Sequence, residues 1–237
     1  MPQDISGYDV GALLYCPANA HHTVAQAVAA ERLPRPFSLA LCLGDTGRAD
    51  ALAAAGQAVE QTLHDLTDAA RQETFYRPLT FVRVRSPEQL ARLGRAYGKY
   101  RPLLTGFILP KFFIETCGAY CAVIRDLQAD GLDYFYMPVF EAPSMLPLHT
   151  RHAALAEVKA QLDALREHIL NIRVGGNDLC HVFGLRRDPG HTIYDLRPVA
   201  DVLTDLLTTF APDYLVAGPV WEYYDGPGWA EGLAQEC

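Results

Sequence analysis

The chain has 237 residues, half of them hydrophobic, and a formal net charge of −8. With mean hydropathy near zero it has an ordinary soluble composition, enough to bury one large core or two modest ones. The acidic balance, with its scattered basic residues, excludes nucleic acid as the expected partner, and no stretch approaches the roughly 20 apolar residues of a membrane span.

The opening residues, Met1-Pro2-Gln3-Asp4, lack the basic start and apolar run of a signal peptide, so the cytoplasm is the expected compartment. Cys16, Cys42, Cys117, Cys121, Cys180 and Cys237 show neither disulfide-framework nor zinc spacing. Buried free thiols are expected, with Cys117 and Cys121 one helical turn apart.

Seven short, nearly continuous apolar runs read as strands covered on both faces: Val10 to Tyr15, Leu39 to Leu43, Leu79 to Val84, Gly106 to Leu109, Tyr134 to Phe140, Leu170 to Val174 and Tyr214 to Ala217. Between them lie amphipathic stripes at three-to-four spacing. One runs from Leu52 through Val59, Leu63 and Leu66 to Ala70, and another from Leu155 through Val158, Leu162 and Leu165 to Ile169. A late stripe covers Val199, Val202, Leu203, Leu206 and Phe210 and stops near Pro212. Ser86-Pro87-Glu88 carries a capping serine and a first-turn proline, a helix start.

Alternating strand and helix without a linker predicts one domain, residues 1–237, built on a parallel sheet. Two architectures compete, a doubly wound open sheet and a (β/α)8 TIM barrel. The dinucleotide fingerprint is absent, because Gly175-Gly176 is followed by Asn177-Asp178 and not by the remaining glycine. Ionisable residues instead follow six successive strands: Asp45, Arg83 with Arg85, Lys111, Glu141, Asp178 and Glu222. A barrel gathers all its strand ends around one mouth, so the barrel is the expected fold.

The stretch from Ile169 to Arg187, ILNIRVGGNDLCHVFGLRR, organises this reading. A strand is broken by Gly175-Gly176, and Asp178 follows directly, where α/β proteins keep their chemistry. The competing structural role for Asp178 is to cap a helical turn over Leu179 to Phe183. Glu141 and Asp178 together suit one hard divalent cation, since magnesium takes one or two carboxylates and leaves other positions to water and substrate. Arg83 offers a planar fork for a substrate carboxylate, and Lys111 adds positive charge. Metal and arginine facing a 2-oxo acid or thioester would stabilise an enolate, the intermediate of aldol and Claisen-type cleavage.

The segments LLYCPAN (13–19), LALCLGDT (39–46), FVRVR (81–85), GFILPKF (106–112), MPVFEAPSML (137–146) and VGGNDLCHVFGLRR (174–187) occur in an order that resembles the HpcH/HpaI aldolase and citrate lyase β-subunit superfamily. LRRDPGHTIYD (185–195) and AGPVWEYY (217–224) are similar to its C–C bond lyase TIM-barrel branch, associated with tellurium-resistance-type gene clusters. The resemblance implies a metal-dependent barrel with Glu141 and Asp178 on magnesium, or manganese as the alternative. It places Arg83 on the substrate carboxylate, with Arg85, Gly176, Asn177 and Arg186 as further substrate contacts and Asp45 and Lys111 in the catalytic set. It also implies a homo-oligomer, trimer or hexamer. Gly44 replaces the family's usual glutamate beside Asp45, and Arg85 stands where citrate-lyase relatives often carry Asn, which fits a more anionic substrate. No coenzyme A signature stands out.

Several residues have ready structural roles. His149 and His152 begin an amphipathic helix whose start, Arg151 included, reads as surface, and His21-His22 reads as an exposed helix start. Arg186-Arg187 either binds an anion or pairs with nearby acids. Trp221 and Glu222 either line the pocket or close it, and Cys180 lacks nucleophile partners and reads as a buried thiol.

The leading function is therefore a magnesium-dependent carbon–carbon lyase acting on a small carboxylated substrate, a 2-oxo acid or acyl compound. Phosphoryl transfer on an enolpyruvate and an idle barrel kept for binding or assembly are the alternatives. Seven strands are counted where a closed barrel needs eight, and Asp225-Gly226-Pro227-Gly228-Trp229 opens a polar tail. The expectation is a barrel incomplete at its C-terminus, with weak or no activity.

Overall fold

Strands that read as unbroken apolar runs need cover on both faces, and helices between successive strands supply it. The computed structural model describes residues 5–18, 21–33, 35–43, 49–72, 74–188 and 190–218. Its strands are β1 (Leu13–Pro17), β2 (Ser38–Cys42), β3 (Thr80–Arg83), β4 (Leu104–Leu109), β5 (Phe135–Phe140), β6 (Ile172–Val174) and β7 (Val216–Ala217). One helix follows each of the first five: α1 (His21–Ala29), α2 (Ala49–Gln72), α3 (Pro87–Ala96), α4 (Cys117–Ala129) and α5 (Leu148–Asp163). Two lie between β6 and β7, namely α6 (Gly176–Val182) and α7 (Arg197–Phe210). Strand order follows chain order and the strand registers are parallel, the βαβ arrangement of a TIM barrel.

The chain divides into two compact units, Met1–Leu109 with Ala122–Tyr136, and Pro110–Cys121 with Met137–Cys237. In the first, Arg83 closes β3 in register with Cys42. Gly106 of β4 has no room for a side chain, because a Cβ there would run into the carbonyl group of Phe135. Ser86 caps α3 by accepting a hydrogen bond from the Gln89 N–H at 3.3 Å, with Pro87 in the first turn, as its sequence predicts. The Tyr134 hydroxyl donates to the Gly94 carbonyl at 2.8 Å, and its ring packs edge-on against Phe107.

In the second unit Phe140, the last residue of β5, sits in an aromatic cluster. Its ring lies 6.1 Å from Phe112, 6.2 Å from Phe113 and 5.0 Å from Phe210. Leu155, Val158 and Leu162 of α5 and Val199, Val202 and Leu206 of α7 complete this core.

All seven expected strands form, with shifted ends. The first starts at Leu13 because Gly7–Val10 is a 3-10 turn, held by Ser6 N–H and Oγ donating to the Asp9 carboxylate at 2.8 and 2.9 Å. The stripe expected to reach Ile169 leaves the helix at Asp163, and Arg166–His168 forms a 3-10 turn. In α4, Cys117, Tyr120, Cys121, Ile124 and Leu127 make one buried face, and four of the five described cysteines are buried free thiols, Cys42 being half-buried. Burial pushes the Cys16 thiol up to about 11. The segment after Tyr224 and the expected missing eighth strand concern residues 219–237, which lie outside the described residues. No described helix is long and apolar enough to cross a membrane.

The Tyr136 hydroxyl of β5 is buried with no hydrogen-bond partner among the described residues. An unsatisfied buried hydroxyl costs about 1–3 kcal/mol. Tyr136→Phe is therefore expected to match or exceed the parent chain's stability in urea unfolding, and a clear loss would show that the hydroxyl has a partner.

Candidate active site

With its Phe140 ring locked in the aromatic cluster, β5 delivers Glu141 at a fixed point. Glu141 is 3 % exposed, an unusual position for a carboxylate. Its Oε1 accepts the Lys111 backbone N–H at 3.1 Å. Lys111 has a positive φ of 50°, a costly backbone state for a residue with a side chain. That conformation aims the amide at Glu141 and leaves the Lys111 side chain exposed. The turn is secured by Thr116 Oγ1, which donates to the Lys111 carbonyl at 2.8 Å, and by the Phe112 N–H, which donates to the Val139 carbonyl at 3.0 Å.

Gly175 forms the opposite wall. Its φ is −90°, so the glycine is not required by a left-handed turn. It is required by space: a Cβ at this position would lie 2.5 Å from Glu141 Cβ and 3.1 Å from its Cδ, and closer still to Oε2. The Gly175 N–H donates to the Phe140 carbonyl at 3.0 Å, which ties the end of β6 to the end of β5. Helix α6 begins at the next residue, earlier than expected, so Asp178 lies within its first turn and is not its cap. Glu141 and the turn carrying Asp178 thus meet at one glycine. Asn177, beside Asp178, accepts from Arg187 Nη2 at 3.5 Å, and Arg187 is itself buried.

Helix α6 ends in a tight reversal. Gly184 has φ +67°, its N–H donates to the His181 carbonyl, and the Leu185 N–H donates to the Cys180 carbonyl. These two bonds satisfy the Cys180 and His181 carbonyls and turn the chain back over the helix. A cavity of about 590 Å³ results, lined by Asn177, Cys180 and His181 of α6 and by residues 184–187.

Arg151 corrects the surface reading of the 149–152 segment. It is 2 % exposed. Its guanidinium donates to the Met145 carbonyl, to the Leu146 carbonyl at 2.9 Å and to Asp205 of α7 at 2.8 Å. His152, largely exposed, bonds the other oxygen of Asp205 at 3.1 Å. Arg151 therefore ties the loop that follows Glu141 to α7. An arginine in a helix's first turn gives no sequence sign of burial; its partners, the Met145 and Leu146 carbonyls and Asp205, come together only in the fold. Arg173 in β6, also buried, and His181 were likewise not picked out from the sequence.

In the first unit Arg83 is half-buried at the end of β3, and Arg85 is exposed, with its backbone N–H donating to Gln89 Oε1 at 2.8 Å. Gly176 is the buried first residue of α6, and Arg186 is exposed on the cavity. Gly44, Asp45, Trp221, Glu222 and the side chains of His21 and His22 lie outside the described residues.

Two predictions follow from this geometry. Gly175→Ala forces the buried Glu141 carboxylate to move, and overpacking of this kind costs about 1–3 kcal/mol. Urea unfolding should show that loss, and an unchanged midpoint would mean that the pocket yields freely. Burial would raise the Asp205 pKa, but hydrogen bonds from Arg151 and His152 outweigh it and hold the pKa below its ordinary value. A depressed carboxylate stabilises the fold above its unfolded pKa, and that contribution disappears as pH falls through the folded pKa. Asp205→Asn should therefore be less stable than the parent chain at pH 7, by about 3 kcal/mol. The gap should begin to narrow below about pH 4 and vanish only as pH falls through the lower folded pKa; a gap that did not narrow in acid would contradict the assignment.

Comparison with known proteins bears on this geometry. The family described as C–C bond lyase of the TIM-barrel fold matches residues 4–237. Comparison with curated proteins gives no match. The crystal structure of CitE from Mycobacterium tuberculosis, in complex with magnesium, acetoacetate and coenzyme A, is similar at a TM-score of 0.59 and 21 % identity. The match covers 95 % of this chain and 70 % of that one, a likeness of fold. With a family match spanning both units, the chain belongs to the carbon–carbon bond lyases of the TIM-barrel fold.

Proposed function

We propose that this lyase acts on a small carboxylated substrate and uses magnesium held by Glu141 and Asp178. The observation that carries the reading is the buried Glu141 carboxylate, seated on Gly175 at the start of the helix turn that bears Asp178. The donor chemistry fits the ion. Magnesium needs only one or two protein carboxylates, a demand that Glu141 and Asp178 meet. The magnesium in the similarly folded CitE complex supports the same choice.

Bound magnesium would supply positive charge where negative charge develops on the substrate carbonyl oxygen. The remaining roles belong to side chains and amides of the chain. The Lys111 N–H occupies Oε1 of Glu141 and so fixes the carboxylate's orientation before any ligand arrives. Arg83 holds the substrate carboxylate through its planar fork, with Arg85 as a second cation for a more anionic substrate. Asp45 and Lys111 complete the proposed catalytic set. The reading takes the two units as parts of one catalytic domain.

The test is product release from oxaloacetate, 4-hydroxy-2-oxo acids and acetoacetyl-coenzyme A, with magnesium or with EDTA. Magnesium-dependent release of a two- or three-carbon product is expected. Asp178→Asn should lose at least about tenfold in magnesium affinity with the fold retained. Arg83→Lys should lose most of the activity because a point charge cannot replace the fork. Turnover indifferent to EDTA, or unchanged in Arg83→Lys, would overturn the proposal.

A further inference from the structure

Strand β6 carries a buried cation to which the proposed chemistry gives no role. Arg173 is 9 % exposed, and none of the described residues gives it a hydrogen bond or an ion pair. Its cross-strand neighbours are apolar, Val139 of β5 on one side and Ala217 of β7 on the other. A guanidinium keeps its charge in a protein interior, and a buried charge without a partner is costly. Two positions earlier, Asn171 is 2 % exposed, and its Oδ1 is likewise buried without a hydrogen-bond partner among the described residues. Strand alternation puts the two side chains on one face.

That face is the one that carries Glu141. Val174 lines a small groove with Leu203 and Leu207 of α7, so Arg173, the residue before it, points away from α7. In β5, Phe140 turns toward Phe210 of α7, which sends Val139 and Glu141 to the opposite side. Gly175, two residues after Arg173, confirms the match, because a Cβ there would run into Glu141. A donor and an acceptor left unmet on this face mark a place where a ligand completes the bonding.

We infer that Arg173 binds a carboxylate of the substrate, and that the substrate is therefore a dicarboxylate. One planar fork satisfies the two oxygens of a carboxylate, whereas a phosphate dianion would keep further charged oxygens that a single fork does not reach. With Arg83 assigned to one carboxylate, a second arginine calls for a second one. The count of two, and the identity of the ligand as substrate, rest on the proposed function; carboxylate binding at Arg173 does not.

Binding and stability can both be read without turnover. The full chain, in EDTA, is titrated calorimetrically with malonate and succinate, and with acetate as the monocarboxylate control. Saturable binding is expected for at least one dicarboxylate, with acetate at least about tenfold weaker. Arg173→Met keeps most of the side-chain volume and removes the charge. It should weaken dicarboxylate binding at least about tenfold and raise the urea midpoint of the ligand-free chain, since it removes an unpartnered buried charge. An arginine with a structural partner would give the opposite shift. Arg173→Lys, which keeps a charge and loses the fork, should weaken binding without lowering the midpoint. Asp178→Asn should bind the dicarboxylate at least as tightly as the parent chain, so a failure of the metal reading leaves this result standing. A lowered midpoint in Arg173→Met would overturn the inference, as would acetate binding as tightly as the dicarboxylates, no saturable binding, or unchanged affinity in both Arg173 variants.

Discussion

The arrangement of the second unit depends on burying one carboxylate. Ionised carboxylates are rarely 3 % exposed, because leaving water costs several kcal/mol unless partners replace it. Three local features make the Glu141 position tenable. The Lys111 amide is turned toward it by an unfavourable backbone state, Gly175 clears the volume its carboxylate fills, and Phe140 fixes the strand that delivers it. Each feature is costly or restrictive taken alone, which is the pattern of a site held ready for a ligand rather than of ordinary core packing.

The same loop is braced from behind. After Glu141 the chain runs through a 3-10 turn, Pro143–Met145, and the carbonyls at its end are gathered by Arg151, whose guanidinium also reaches Asp205. Arg151 thereby holds this loop against α7. On the other side of Gly175, the reversal at Gly184 folds Arg186 and Arg187 over α6, so the stretch from 174 to 187 carries a strand end, a carboxylate and a basic cavity wall.

Much of this was legible in the sequence, and the gaps have physical causes. Strand runs such as Phe135–Phe140 announce themselves because every residue is buried. The Ser86-Pro87 helix start was equally plain, since capping is a local hydrogen bond. Gly175 was read correctly as a break, but the constraint on it was not legible, because it comes from Glu141, 34 positions earlier in the chain. Arg151 was read as surface because no local pattern marks an arginine whose partners, Met145, Leu146 and Asp205, come together only in the fold. Cys117 and Cys121, expected as buried thiols one helical turn apart, are both buried in α4; the Tyr120, Ile124 and Leu127 positions that share their face were not singled out. Glu141 and Asp178 were singled out because each follows a strand, and the resemblance then implied magnesium for them; the close approach of Gly175 to Glu141 was visible only in three dimensions.

The account rests on Glu141 and Asp178 sharing one cation. The most direct measurement is a crystal structure of the chain grown with manganese, with the ion located by its anomalous scattering. One peak, coordinated by an oxygen from each of the two carboxylates at about 2.2 Å and otherwise by water, is the predicted result. A fully loaded crystal with manganese absent from that position, or bound without Glu141, would contradict it.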